Sequence, residues 1–187
     1  MPVLGAPQDS LGVSIRFGAK GAAGAAGEHR SAALLNWRYA DDSSTWVLHH
    51  CRAPGFSHAD VDHVVVRGST VVVIDTKCWK PGRYRRLGDT VFYGATPFGA
   101  VDHVLLGQVV IRVSADLPGI SVHGLGAVWA SKPTRLGLGF GPWRVRFPGG
   151  VPVCHGKDLL ATVEKLLGPH SGDPAATALS YWKVRQL

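Results

Sequence analysis

Two valine-rich runs joined by a short connection constrain the fold of this chain more than any other feature. Residues 61–66 read VDHVVV and residues 71–77 read VVVIDTK, with the segment 67–70, RGST, between them. Valine and isoleucine favour strands, and a short connection that contains glycine favours a hairpin. We therefore predict two antiparallel strands joined by a four-residue loop.

Three charged residues interrupt these runs, and the alternation of side chains along a strand predicts where they lie. With Val66 opposite Val71, Asp62 faces Asp75, and their Cβ atoms are about 5 Å apart. Lys77 shares their face, because side chains two residues apart project to the same side. Facing carboxylates repel each other unless a cation offsets the repulsion, and Mg²⁺ prefers hard oxygen ligands of this kind. The hairpin therefore predicts a magnesium site of the type used in phosphoryl transfer.

Each of the three charges, taken alone, could instead be an exposed side chain near the end of a strand. The register, the shared face and the basic run that follows agree with one another. That agreement favours a site over three unrelated surface charges.

The remaining patterns predict helices packed on one mixed sheet. We expect an N-terminal extension over 1–20, one main domain over 21–170 and a C-terminal tail over 171–187. Hydrophobic periodicity and turn residues predict the following elements: a helix over 21–40 that begins between Ala22 and Gly27, strands at 45–51, 120–130 and 151–154, a possible strand at 144–147, a loop over 79–98, helices over 99–116 and 157–168, and one more helix within the tail.

Composition places the chain among folded proteins that meet an anionic partner. Hydrophobic residues make up 45% of the chain and charged residues 18%, which excludes an intrinsically disordered protein. The net charge of +7 favours nucleic acid as the partner, although solubility alone is the alternative explanation. Cys51, Cys78 and Cys154 are widely spaced and odd in number, which is typical of a reducing compartment. With no apolar run near the roughly 18 residues of a membrane span, we expect a cytoplasmic protein.

The motifs resemble those of a known nuclease family. The spacing of Asp62, Asp75 and Lys77, D-x12-D-x-K, is similar to the signature of the PD-(D/E)xK nuclease superfamily. The nuclease-related domain (NERD) family resembles the chain more closely, through 24-GAAGE-28, 60-DVDH-63 and 71-VVVIDTKCW-79, over roughly residues 21–130.

The resemblance implies an α/β fold of the restriction-endonuclease-like type, with a central mixed sheet flanked by helices. It also implies Mg²⁺-dependent hydrolysis of DNA phosphodiester bonds by an endonuclease or nickase, with Mn²⁺ as a substitute. Asp62, Asp75 and the backbone carbonyl of Thr76 would bind the metal, and Glu28 would bind it through water or position the nucleophile. Lys77 would stabilise charge on the phosphate or orient the attacking water.

The basic run after the second strand would bind the substrate. Its members are Lys80, Arg83, Arg85 and Arg86, and contacts of this kind to phosphates give affinity without reading sequence. Trp79 and Tyr84 would stack on an exposed base, unless Trp79 serves as a hydrophobic anchor under the loop.

A second hypothesis keeps the nuclease fold without strong catalysis, as a DNA-binding accessory module of a DNA-processing system. The sequence leaves RNA open as a substrate and a homodimer open as the assembly.

Overall fold

The computed structural model describes residues 3–7, 10–57, 59–101, 104–132, 145–169 and 175–186, and for residues 10–21 it describes the backbone. The helices are α1 (Ser10–Tyr39), α2 (Leu106–Asp116), α3 (Leu159–Leu167) and α4 (Ala176–Lys183). The strands are β1 (Val3–Leu4), β2 (Thr45–Arg52), β3 (Asp60–Arg67), β4 (Thr70–Trp79), β5 (Tyr84–Leu87), β6 (Thr90–Tyr93), β7 (Thr96–Pro97), β8 (Ser121–Ala130) and β9 (Val153–His155).

A central mixed sheet carries the fold, in the strand order β1-β2-β3-β4-β8-β9. Strands β2, β3 and β4 are antiparallel neighbours, whereas β4, β8 and β9 run parallel. The predicted α/β class and the mixed sheet are therefore confirmed. Because β4 and β8 are parallel, both strands end at the same edge of the sheet.

The predicted hairpin forms in the predicted register. Val66 pairs with Val71 and Val64 with Val73. The connection is two residues shorter than predicted, because Arg67 and Thr70 also pair and leave Gly68 and Ser69 as the turn. Gly68 has φ +52°, a left-handed conformation that glycine adopts without steric cost.

Helices cover both faces of the sheet. On one face, α1 and α3 bury apolar side chains against the strands, in a cluster that includes Leu35, Tyr39, Val72 and Leu159. On the other face, α2 and α4 pack in a cluster that includes Val64, Val73, Val109 and Trp182. The valines of the hairpin thus alternate between two cores, which explains why neither run alternates with polar residues.

The N-terminal prediction was wrong in two respects. Helix α1 begins at Ser10 rather than between Ala22 and Gly27, and Val3–Leu4 pairs in parallel with β2. The alanine- and glycine-rich stretch carries little amphipathic signal, so its periodicity did not reveal the first half of the helix. Within the predicted extension 1–20, Val3–Leu4 joins the central sheet and α1 begins.

The predicted loop over 79–98 was also wrong, because it contains a small antiparallel sheet in the order β5-β6-β7. Strands β5 and β6 meet at a Gly88-Asp89 turn, with Gly88 at φ +58°. That dipeptide is a recognised hairpin signal. The arginines that precede it favoured a loop instead when the sequence was considered alone.

Other element predictions hold with shifted boundaries. Helix α2 begins at Leu106 rather than residue 99, after a single 3-10 turn over Gly99–Val101. The possible strand at 144–147 is represented by one isolated bridge, between Arg146 and Pro152. Residue 144 lies outside the described residues. The C-terminal segment does form a helix, α4, and it packs into the core through Ala178 and Trp182.

Candidate active site

The candidate site lies where β3 and β4 stop pairing. The last pair of their ladder is His63 with Ile74. One step further on, the N–H of Thr76 donates to Oδ2 of Asp62 at 2.5 Å, so a side-chain carboxylate replaces a backbone acceptor. Asp62 thus reaches across to the backbone of β4 at the residue that follows Asp75.

Asp75 and Lys77 project from β4 toward α2, as alternation predicts, and form an ion pair. The distance between Nζ of Lys77 and Oδ1 of Asp75 is 2.7 Å. The other carboxylate oxygen of Asp75, Oδ2, is buried and has no hydrogen-bond partner among the described residues. Both side chains line a small cleft of about 180 Å³ beside Val109 of α2. The site therefore combines a buried, unsatisfied carboxylate oxygen with solvent access.

Helix α1 places Glu28 at this site because Gly27 allows it to approach β4 closely. A Cβ atom on Gly27 would lie 2.7 Å from Sγ of Cys78 and 3.3 Å from Cγ2 of Thr76. A Cβ atom on Gly24 would meet nothing within 4 Å. The second glycine of the GAAGE motif is thus a packing requirement, and the acidic residue that follows it is brought to the cluster.

The electrostatics show that the four predicted residues form one group. Burial raises the pKa of Asp62 well above its usual range, and the nearby charges of Asp75 and Glu28 add to the rise against Lys77. Burial also raises the pKa of Glu28, although Lys77 and His50 lower it. Burial would lower the pKa of Lys77, but Asp75 and Asp62 reverse that effect and raise it. Lys77 is therefore a cation at neutral pH.

Residues 23–99, which we call the NERD segment, match the nuclease-related domain (NERD) family. The match confirms the resemblance drawn from the motifs, and the matched segment contains Glu28, Asp62, Asp75 and Lys77 together. Neither the curated proteins nor the solved structures give a significant match.

The NERD segment offers the carboxylate oxygens of Asp62 and Asp75, which are of the hard type that magnesium prefers. Within the described residues, no three His, Cys, Asp or Glu side chains lie close enough together to hold one ion. Magnesium is commonly bound through one or two carboxylates, several waters and substrate phosphates, so a full protein cage is not needed. The buried Oδ2 of Asp75, within electrostatic reach of the Asp62 carboxylate, fits that mode of binding.

The basic run of the NERD segment lies around the small sheet. Lys80, Arg83, Arg85 and Arg86 are exposed. Arg86 donates to Asp89 at 2.7 Å, and the guanidinium of Arg85 lies 5.8 Å from the centre of the Phe92 ring. The predicted phosphate contacts therefore remain available at the surface.

The two predicted stacking residues are buried. Trp79 is 5% exposed and Tyr84 is 3% exposed. The Trp79 ring packs 4.9 Å from Tyr84 and 5.0 Å from Phe98, measured between centroids. This placement matches the alternative in which Trp79 anchors the loop.

The two buried histidines lie on the opposite face of the sheet from Asp75. Nδ1 of His63 is 2.8 Å from Nδ1 of His49, and Nε2 of His49 is 2.7 Å from Oδ1 of Asn36. Burial lowers the pKa of His49 to about 4 and that of His63 well below its usual range, so the pair is neutral. These contacts hold α1, which carries Glu28, against β2 and β3.

His50 and Asp60 lie close to the cleft, and sequence reasoning assigned neither of them a role at the site. Nε2 of His50 lies 3.5 Å from Oδ2 of Asp60, and Asp60 lines the same cleft as Asp75 and Lys77. His50 has φ +52°, a left-handed conformation that is uncommon outside glycine and often found at functional sites. Nothing in the local sequence reveals such a conformation, because glycine and asparagine are its usual signals.

Among the described residues, no helix combines the length and the apolar character needed to cross a membrane. Among the described residues, Cys51, Cys78 and Cys154 are free thiols.

Proposed function

We propose that this protein is a metal-dependent nuclease that hydrolyses DNA phosphodiester bonds, built on a restriction-endonuclease-like core. One observation carries the proposal. Glu28, Asp62, Asp75 and Lys77 converge at the end of β4 within the NERD segment, and one buried oxygen of Asp75 lacks a partner. An unsatisfied buried carboxylate oxygen is costly unless a ligand completes it.

Asp62, Asp75 and the backbone carbonyl of Thr76 would hold magnesium or manganese, with Glu28 joining through water. A bound ion of this type supplies Lewis-acid polarisation of a phosphoryl oxygen and a more acidic water. Two or three carboxylates around a single ammonium group leave the site negative, which favours a divalent cation.

Lys77 and Glu28 would carry the remaining chemistry. The Lys77 ammonium group stays protonated near neutral pH, so it would stabilise negative charge on the reacting phosphate or orient the attacking water rather than accept a proton. The raised pKa of Glu28 suits a carboxylate that accepts a proton from the attacking water. Lys80, Arg83, Arg85 and Arg86 would hold flanking phosphates.

A DNA-binding accessory module with little catalysis is the second candidate. The tight pairing of Lys77 with Asp75 favours it, as does the absence of a three-residue metal cluster within the described part of the chain. The two candidates differ in whether the same four residues are needed for cutting.

A cleavage assay separates the two candidates. Supercoiled, linear duplex and single-stranded DNA are incubated with the protein in Mg²⁺, Mn²⁺ or EDTA. We expect metal-dependent cutting that falls by about 10²–10³-fold in Asp75→Ala and in Lys77→Ala, the loss typical of removing a group that stabilises the transition state. The matched controls are Asp41→Ala and Lys157→Ala, which remove exposed charges away from the cleft.

Binding of DNA without cutting, unchanged in the two site variants, would support the accessory module instead. Absence of both binding and cutting on every substrate would overturn both candidates.

A further inference from the structure

A second, larger cleft adjoins the candidate active site at the carboxyl ends of β4 and β8. It has a volume of about 680 Å³, within the range of roughly 300–1,000 Å³ typical of ligand sites. Lys77 lines both this cleft and the smaller one that contains Asp75. The two spaces are therefore neighbours on either side of one lysine.

Aromatic rings form much of the wall of this cleft. Trp79 and Tyr84 are its buried floor, and the half-buried rings of Tyr93 and Phe98 are nearer to solvent. The rings pack on one another, with centroids 5.0 Å apart for Tyr84 and Tyr93 and 5.1 Å apart for Tyr84 and Phe98. Hydrogen bonds fix both tyrosines, because Tyr84 donates to the carbonyl of Lys80 at 2.8 Å and Tyr93 to the carbonyl of Pro81 at 2.9 Å. The wall is thus a preorganised apolar surface.

The charge around the cleft is of one sign. Every charged residue among the described residues that line it is a lysine: Lys77, Lys80 and Lys132. Lysines bind phosphate as point charges, whereas aromatic faces bind a base by stacking. A ligand that carries both a planar apolar group and phosphates matches this combination.

We propose that this cleft holds an unpaired nucleobase of the strand whose phosphate lies at Asp75 and Lys77. A base inside a duplex has both faces covered by its neighbours, so only an unstacked base can enter a concave aromatic cleft. A single strand, a flap, a gap or a frayed end already offers such a base, whereas an intact duplex must first unstack and flip one, so these substrates are preferred over the duplex. This assignment rests on the proposed nuclease function and adds the class of substrate to it.

Equilibrium binding in EDTA tests the assignment without any cleavage. Fluorescence anisotropy compares a DNA single strand, a blunt duplex, and duplexes with 5′ and 3′ overhangs. An RNA single strand is included to distinguish DNA from RNA as the source of the unpaired base. We expect the single strand and one overhang to bind at least about tenfold more tightly than the blunt duplex, as the loss of a stacked base predicts. Equal affinity for the blunt duplex would overturn the assignment.

A matched pair of phenylalanines makes the test specific. Phe98→Ala removes a ring that lines the cleft, and Phe92→Ala removes a half-buried ring of β6 that does not line it. We expect Phe98→Ala to weaken single-strand binding about tenfold and Phe92→Ala to leave it unchanged. Equal effects of both variants would contradict the proposal.

A spectroscopic measurement on the unaltered protein decides the question if Phe98→Ala fails to fold. The fluorescent base 2-aminopurine is placed at successive positions of the single strand. Strong quenching or a shift confined to one or two positions supports a stacked base, and uniform fluorescence at all positions contradicts it.

The same oligonucleotides with Mg²⁺ separate the two proposals. Tight single-strand binding without cutting would overturn the nuclease and leave the cleft assignment in place. Cutting of duplex and single strand at equal rates, unaffected by Phe98→Ala, would support the nuclease and overturn the cleft assignment.

Discussion

The carboxylates of Glu28, Asp62 and Asp75 all act electrostatically on the single ammonium group of Lys77, so folding brings more carboxylates to the site than Lys77 neutralises. Burial strengthens this repulsion, because less water screens it. Asp62 bears most of the cost, since its carboxylate is both desolvated and close to Asp75. The metal-free protein is therefore less stable than its packing alone would allow, as is common at functional sites.

We expect Asp62→Asn to stabilise the metal-free protein. The amide oxygen of asparagine can still accept the N–H of Thr76, while the repelling charge is gone. In EDTA at pH 7 the free energy of unfolding should rise by about 1 kcal/mol, measured by urea denaturation.

Asp41→Asn is the control, because Asp41 is exposed and should change stability by less than about 0.5 kcal/mol. Added Mg²⁺ should stabilise the unaltered protein and leave Asp62→Asn little changed. A loss of stability in Asp62→Asn would contradict the electrostatic account.

At the scale of elements, the approach of α1 to β4 assembles the site. The helix carries Glu28 and the strand carries Asp75 and Lys77, so the distance between the two elements decides whether the charges meet. Gly27 is the point of closest approach, with Cys78 and Thr76 of β4 against it. The helix cannot keep this position if a side chain is added there.

Gly27→Ala and Gly24→Ala form a matched pair that measures this contact. Both changes raise helix propensity by about 1 kcal/mol, but only Gly27→Ala inserts a methyl group against β4. We expect Gly27→Ala to be less stable than Gly24→Ala by about 1–3 kcal/mol in urea denaturation, the usual cost of overpacking. The DNA cleavage that we propose should fall as well. Equal stabilities would show that β4 accommodates the added methyl group.

At the scale of the whole molecule, β1 and α4 both pack on the central sheet, which has a hydrophobic core on each face. Strand β1 extends the sheet next to β2, and α4 packs over β2 and β3. Trp182 of α4 is fully buried in the same core as Val64 and Val73 of the hairpin. The C-terminal segment therefore supports the frame that holds the site.

We expect Trp182→Ala to lower the free energy of unfolding by about 3–5 kcal/mol, because it leaves a cavity in that core. The unfolding transition should remain single when followed by far-UV circular dichroism and by fluorescence, since α4 and the sheet share one core. Val184→Ala is the control, because Val184 is 80% exposed. Separate transitions for the tail and the sheet would contradict this account.

Sequence reasoning succeeded where a local period determines the outcome. The register of the hairpin followed from side-chain alternation, and α3 followed from its apolar stripe and from Gly168 at its end. It failed where the signal was weak or mixed. The alanine- and glycine-rich half of α1 has no clear stripe, and the arginines of β5 concealed the hairpin turn that follows them.

The sequence by itself determined the hairpin, the order of the motifs and the positions of Asp75 and Lys77 on one face of β4. These features depend on the two-residue period of a strand and on spacing along the chain. Only the tertiary structure decided that Asp62 bonds to the backbone of Thr76, that His50 lies near Asp60, and that Trp79 and Tyr84 are a buried floor. Those outcomes depend on the end of a strand ladder, a left-handed residue and the packing of a second sheet, and none of these has a local period that a sequence could display.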